Sequence, residues 1–350
     1  MELGGEFFLD LTQLNTTAHS ILQSLQAQPH HLFDSGRSAL SFAAQALSDG
    51  PVLLPEYICA SVIRAFEPRE IRFYRLSPSL DIDCEDLLSK LDGSVSAVFL
   101  MHYFGSLQSA EALDLLRTAK EKYGFTVIED TTHSFFTTRQ TIGDLCVASL
   151  RKWFALPGGG VVYGPQFSLL ESYPLPPAKT DNTRAYGMIE KALFLQEKLD
   201  CNTEYLQLFQ ETEEALDRQR ERFTISDFSR FLLSTVDGDL LAAQRRANYA
   251  RLCEALAPLG FVPVCTLPEG GCPLTLPILV EDRDEFRRYL MQHNIYCAVH
   301  WPFDGTQPEN RPLAQYMAAH MISLPIDQRY DAEQIDYLIQ TIQAYKEQHR

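Results

Sequence analysis

Short, fully apolar runs alternate along this chain with longer stretches that are apolar on one side only. "PVLLPEY", residues 51–57, is a compact apolar run ended by Pro55 and predicts a buried strand. "YICASVIRAFE" follows with helical spacing, and "EIRFYRL" alternates like a strand. "VSAVFLMHYFG" is apolar without interruption up to Gly105, the signature of a parallel strand covered on both faces. "SAEALDLLRTAKEKYG" keeps its apolar residues on one helix face and closes at Gly124. "FTVIED" is a further buried strand with two acids at its end, and "VASL" and "GGGVVYG" add two more. Upstream, "SGRSALSFAAQAL" reads as a turn entering a helix, capped by Ser35 or Gly36.

Strands alternating with helices predict an α/β fold, a large domain whose mostly parallel central sheet is flanked by helices. Such sheets bind ligands beyond the C-terminal ends of their strands. His102, Tyr103, Glu129, Asp130 and His133 stand at those ends. From about 168 to 245 the texture becomes long, helical and charged. After it, "CPLTLPILV", "DRDEFRRYLMQHN", "IYCAVHW", "MISLPI" and "DAEQIDYLIQTIQAYKEQ" alternate strand and helix again. The expected division is a large domain over 1–245, with a helical extension at 168–245, and a small α+β C-terminal domain over 246–350.

Composition narrows the function. The chain has 350 residues, enough for one large domain and a smaller one. A net charge of −16 without a basic run argues against nucleic acid and against an anionic membrane surface. A small anionic ligand needs only a local site and stays open. Eight cysteines show neither C-x-x-C nor zinc-site spacing, so no metal is expected and the thiols read as reduced. No signal peptide and no run of about 18 apolar residues is visible, and the cytoplasm is the expected compartment.

Three stretches carry candidate chemistry. Gly36, Arg37 and Ser38 open a helix after a glycine-containing turn, which makes either a simple cap or a phosphate cradle. Asp130 ends a buried strand, where a carboxylate caps the next turn or meets a positive partner such as a protonated pyridine nitrogen. His133, three residues on, either packs or reaches the same ring. In "ASLRKWFALPGGGVVYG", Lys152 is either a surface lysine beside a turn or a reactive amine. A lysine that forms a Schiff base needs a usable neutral amine in a partly desolvated, positively biased pocket. A phosphate cradle, a strand-end aspartate and a lysine in that order are what pyridoxal phosphate requires.

Six stretches in order resemble the DegT/StrS family of sugar aminotransferases, pyridoxal-phosphate enzymes of the aspartate-aminotransferase fold (fold type I). "SGRSAL" is similar to the family's S-G-T-S-A-L, and "LLPEYICASV" to V-P-S-F-T-F-x-A-T. "FLMHYFG" resembles P-V-H-x-Y-G, and "VIEDTTHS" resembles V-I-E-D-A-A-H/Q. "SLRK" with "PGGGVV" resembles S-F-x-x-x-K with E-G-G-A-V-V, and "ISLPI" precedes a last helix like the family's. The resemblance implies that Lys152 binds the cofactor's aldehyde, Asp130 pairs with its ring nitrogen and His133 approaches its phenolic oxygen. It places Gly36, Arg37, Ser38 and Ser149 around the phosphate. It implies a homodimer with shared active sites, with Arg230 where the family has the Arg of N-Y-R. His102 and His300 are further substrate-site candidates, each with a packing role as the alternative.

The chain departs from the family at several points. Cys59 stands where the family's ring-stacking aromatic belongs, leaving Tyr57 and Tyr103 as candidates. The Ser149–Lys152 loop is about two residues short, the Glu of G-E-G-G is missing, and the Asn of N-Y-R is absent. The implied activity moves an amino group from an amino acid such as glutamate to a keto acceptor such as a nucleotide-linked keto-sugar. The cofactor cycles between pyridoxal 5'-phosphate and pyridoxamine phosphate. One rival is a dehydratase that keeps the cofactor, but relatives of that kind carry histidine in place of the lysine. The other is a cofactor-bearing sensor or scaffold, which Lys152 and Asp130 disfavour.

Overall fold

The computed structural model describes residues 2–137, 140–166, 175–176, 178, 181–303 and 311–349. The strands are β1 (Leu3–Gly4), β2 (His30–Phe33), β3 (Val52–Pro55), β4 (Ile71–Tyr74), β5 (Ala97–Met101), β6 (Thr126–Asp130), β7 (Leu145–Ser149), β8 (Gly160–Tyr163), β9 (Leu276–Leu279), β10 (Ile295–Tyr296) and β11 (Met321–Leu324). The helices of the first half are α1 (Ile21–Leu25), α2 (Gly36–Gln45), α3 (Ala60–Phe66), α4 (Cys84–Lys90) and α5 (Ala110–Tyr123). Then come α6 (Asp181–Leu195), α7 (Asn202–Arg218), α8 (Asp227–Leu233), α9 (Gly238–Leu256), α10 (Arg283–Gln292), α11 (Pro312–His320) and α12 (Ala332–Gln348).

Seven strands form the central sheet in the order β2-β8-β7-β6-β5-β3-β4. The pairs β3–β4, β3–β5, β5–β6 and β6–β7 are parallel. β8 runs antiparallel to both of its neighbours. The mostly parallel α/β sheet expected from the sequence is therefore the one observed. β5 is buried at every position, as an uninterrupted apolar run requires. Local chemistry ends the helices where expected. Ser109 caps α5 by accepting from the Ala112 N–H at 3.2 Å, and Gly124 closes it at φ 76°, a left-handed conformation that glycine adopts without strain.

The charged stretch after 180 is two helices, α6 and α7, packed on each other. α9 runs from 238 to 256 and so passes without a break through residue 245. A separate hydrophobic core gathers Leu252, Phe286, Leu324 and Leu338 from the C-terminal elements, together with Leu3. β1 joins that region by pairing in parallel with β10.

Candidate active site

Register across the sheet decides which strand-end side chains face the same way. Met101 pairs with Asp130, and Asp130 with Val147. All three line one cavity of about 700 Å³. Side chains alternate along a strand, so Glu129 points to the other face of the sheet. There it meets His102, whose Nε2 lies 3.1 Å from Glu129 Oε1 and whose Nδ1 accepts from the Gln108 N–H at 3.1 Å. Glu129 Oε2 also accepts from the Ile142 and Gly143 N–H groups. His102 is thus a buried tie between β6 and the Gln108 backbone and stands off the cavity wall.

The cavity wall brings together Gly36, Arg37, Cys59, Asp130, His133, Ser149, Lys152 and His300. Gly36 opens α2 behind Ser35, whose hydroxyl accepts from the Ser38 N–H at 3.1 Å. The cradle is tight enough to require glycine. A β-carbon on Gly160 would collide with the Ser35 carbonyl and stand 2.8 Å from the Gly36 nitrogen. Ser149 ends β7, and its N–H donates to Thr132 Oγ1 at 3.0 Å. Lys152 follows in a 3₁₀ turn, Leu150–Lys152. Expected in a partly desolvated pocket, Lys152 is an exposed residue of this wall; its neighbours Asp130 and His133 are the buried ones.

Electrostatics single out Asp130. Burial pushes its carboxyl up to about 6 against the opposing pull of two Thr132 hydrogen bonds and Lys152. Its Oδ1 accepts from the Thr132 N–H at 2.8 Å, and no salt bridge reaches it among the described residues. A protonated ring nitrogen would supply the cation that this buried carboxylate lacks. His133 accepts at Nδ1 from the Phe104 N–H at 3.4 Å, so its hydrogen sits on Nε2. Burial, with His300 and Lys152 nearby, holds its imidazole well below the ordinary range and therefore neutral. His300 bonds Ser323 Oγ at 2.9 Å, and burial beside Lys152 lowers it to about 3.

Other candidates lie elsewhere. Ser38 spends its N–H on the Ser35 cap, and its hydroxyl accepts from Gln219 at 3.2 Å. Tyr57 donates its hydroxyl to the His300 carbonyl, and Tyr103 donates to the Tyr57 carbonyl at 2.6 Å. Both tyrosines stand behind the wall. Trp301, which the sequence reading did not select, lines the cavity and stacks on His133 at 5.6 Å and 18°. Its ring is backed by Tyr57 at 4.9 Å. Arg230 sits exposed on α8, off the cavity.

The wall carries seven cationic side chains, six arginines and Lys152, against four carboxylates, in a chain whose net charge is −16. Arg151, Arg184 and Glu213 belong to this wall and were missed by sequence reasoning. The only local signal was Arg151 beside Lys152. The glycine-tight cradle, the uncompensated Asp130 and the cationic wall fit an anionic, ring-nitrogen cofactor such as pyridoxal phosphate.

No family model matches the chain. A curated relative, the dTDP-3-amino-3,6-dideoxy-alpha-D-galactopyranose transaminase of Aneurinibacillus thermoaerophilus, is 22% identical over 336 residues, 89% of this chain and 84% of that protein. The sugar aminotransferase CalS13 from Micromonospora echinospora superposes with a TM-score of 0.67 at 18% identity, covering 93% of this chain and 90% of that one. Helicobacter pylori PseC, an aminotransferase involved in the biosynthesis of pseudoaminic acid, gives 0.68 at 15%, covering 99% and 100%. A DegT/DnrJ/EryC1/StrS aminotransferase from Brucella abortus gives 0.66 at 16%, covering 93% and 89%. The chain has the fold of the DegT/StrS sugar aminotransferases, the fold type I family that its motif order resembles.

Proposed function

We propose that this protein is a pyridoxal-phosphate aminotransferase that moves an amino group from an amino acid, glutamate, to a keto acceptor of the nucleotide-linked keto-sugar class. The observation that carries the reading is the convergence of Lys152, Asp130, Gly36 and Ser149 on one cavity. The acceptor class is supported by the curated relative, which is named as a transaminase of a dTDP-linked amino sugar.

When bound, the cofactor supplies an aldehyde that carries the amino group and a cationic ring that accepts the electron pair of the substrate carbon. Lys152 is the residue that holds the aldehyde carbon. Its amine would also serve as the group that moves a proton at the substrate carbon, as base and then acid. Asp130 keeps the ring nitrogen protonated, and the pairing relieves a carboxylate that burial otherwise pushes up to about 6. His133 offers its Nε2 hydrogen to the phenolic oxygen. Gly36, Arg37 and Ser149 receive the phosphate, with Ser38 fixing the turn behind them. His300 and Trp301 bound the substrate side. The same reading includes a homodimer, to which Arg230 on the exposed face of α8 contributes, and a cytoplasmic setting, which cysteines held in no disulfide suit.

The test is borohydride reduction of cofactor-loaded protein followed by peptide mapping. The reading expects a pyridoxyl group on Lys152. Label on a different lysine, or on none, overturns it. Incubation with glutamate is then expected to yield the pyridoxamine form and 2-oxoglutarate.

A further inference from the structure

Arg151 directly precedes Lys152, in a connection shorter than the one it resembles. The 3₁₀ turn starts at once after Ser149, with Leu150 fully buried as its anchor. The turn and an ion pair to Glu213 hold Arg151 at the cavity. Its side chain is 15% exposed and lines the cavity beside Gly36 and Ser149.

A second guanidinium lines the same cavity from α2. Arg37, in the first turn of α2, donates through both Nη atoms to Glu213 Oε2 at 3.4 Å and pairs with Asp217 at 3.1 Å. Arg151 Nη2 donates to Glu213 Oε1, and Arg184 Nη1 donates to the same oxygen at 2.9 Å. Three guanidinium groups thus converge on one carboxylate of α7. Burial works to raise Glu213, but Arg151, Arg184 and Arg37 outweigh it and hold it at about 2, so it stays ionised. Even so, the Nε–H groups of both Arg37 and Arg151 are buried with no hydrogen-bond partner among the described residues. Arg184, by contrast, donates to both Glu6 and Glu213 and leaves no buried nitrogen without a partner among the described residues. The donor capacity left over belongs to Arg37 and Arg151, the two that flank Gly36 and Ser149.

Phosphate matches this surplus. It carries two negative charges and accepts several hydrogen bonds, and guanidinium forks are suited to it. We propose that Arg151 is a phosphate-binding residue of this chain, gripping the cofactor's phosphate together with Arg37, with Glu213 as the residue that orients both. This rests on the cofactor reading above. It also gives the shortened Ser149–Lys152 connection a purpose. One turn places the group that holds the phosphate and the group that holds the aldehyde side by side.

The experiment compares pyridoxal 5'-phosphate with pyridoxal, which lacks only the phosphate, by absorbance titration of wild type, Arg151→Met and Arg151→Lys. Arg151→Met is expected to weaken pyridoxal phosphate binding by about 10- to 100-fold, the range for a charged hydrogen bond. Pyridoxal binding should change by less than about threefold on the same scale, and that titration also reports whether the variant is folded. Arg151→Lys should recover part of the loss, because charge returns without the fork. Inorganic phosphate should compete with pyridoxal phosphate less effectively in Arg151→Met than in wild type. Equal losses for both ligands, or no loss for either, overturn the inference while leaving the cofactor reading intact. Wild-type protein that binds neither ligand removes the reading and the inference together.

Discussion

A methyl group placed on Gly36 would stand 2.7 Å from the β-carbon of Ser149, so the first residue of α2 and the last of β7 are in van der Waals contact with no room between them. This contact sets the width of the cradle. Gly36→Ala pushes a side chain, and the strand end has to yield. The expected cost is about 1–3 kcal/mol, the range for overpacking, with weakened retention of the cofactor's phosphate. Gly160→Ala meets backbone instead, at the Ser35 carbonyl and the Gly36 nitrogen, and should cost more. Urea denaturation of the two variants checks the order. A Gly160→Ala protein as stable as wild type would contradict the packing described.

Asp130 makes a prediction about acidity. Its folded carboxyl titrates near 6, above its ordinary 3.8, so the folded chain without cofactor binds that proton more tightly than the unfolded chain does. The stability linked to this group is therefore fully present below pH 3.8 and is lost as pH rises through 6. Asp130→Asn never ionises. In cofactor-free protein it should be more stable than wild type at pH 8, by about 3 kcal/mol at most, with the gap closing toward pH 4. In loaded protein the advantage should vanish, because the proposed pairing with the ring nitrogen would supply the missing partner. Denaturant midpoints at several pH values, with and without cofactor, measure both.

His102 and His300 were equivalent in the sequence and are not equivalent in the fold. His102 is 1% exposed and ties Glu129 to the Gln108 backbone. Replacing it with alanine strands those partners and should cost about 1–3 kcal/mol of stability. Michaelis constants for donor and acceptor should stay unchanged. His300 lines the cavity beside Trp301. His300→Ala should change a Michaelis constant or kcat with little change in the unfolding midpoint. A split the other way round would reverse the two roles.

Trp301 offers a direct reading of the cavity wall. Its indole lies nearly parallel to His133, 5.6 Å away. Trp301→Leu removes that cover and admits water, so His133, now depressed chiefly by burial, should regain basicity. An NMR titration of the His133 imidazole is expected to move upward toward the ordinary value. An unmoved titration would mean that other groups enforce its neutrality.

Much of this was legible in the chain. β5, β6 and α5 announce themselves because buried parallel strands are continuous apolar runs and α5 carries a serine cap and a terminal glycine. The order of Gly36, Asp130 and Lys152 was readable for the same reason, since each sits where a regular element begins or has just ended. The direction of β8 could have been read as well. Only ten residues separate β7 from β8, too few for the usual parallel crossover, so the pair had to be antiparallel. Strand parity could also have parted His102 from Asp130. What the chain did not reveal is what distant segments bring. Glu213 and Arg184 lie on helices that read as a charged surface, and only their packing against Arg37 and Arg151 turns them into cavity wall. Nothing in the chain marks Trp301, because the family pattern points to Cys59, Tyr57 and Tyr103.

The pairing of Leu3 with Ile295 has a consequence for the order in which the molecule assembles. During synthesis the opening segment leaves the ribosome long before its strand partner exists, and it must stay unpaired while the central sheet collects. Gly4, Gly5, Glu6 and Phe7 all border the cavity, so that rim is among the last parts of the protein to be finished. Ligand capture then waits on the final stage of folding, and a nascent chain stalled before residue 295 would have Lys152 in place but one side of the vessel still missing.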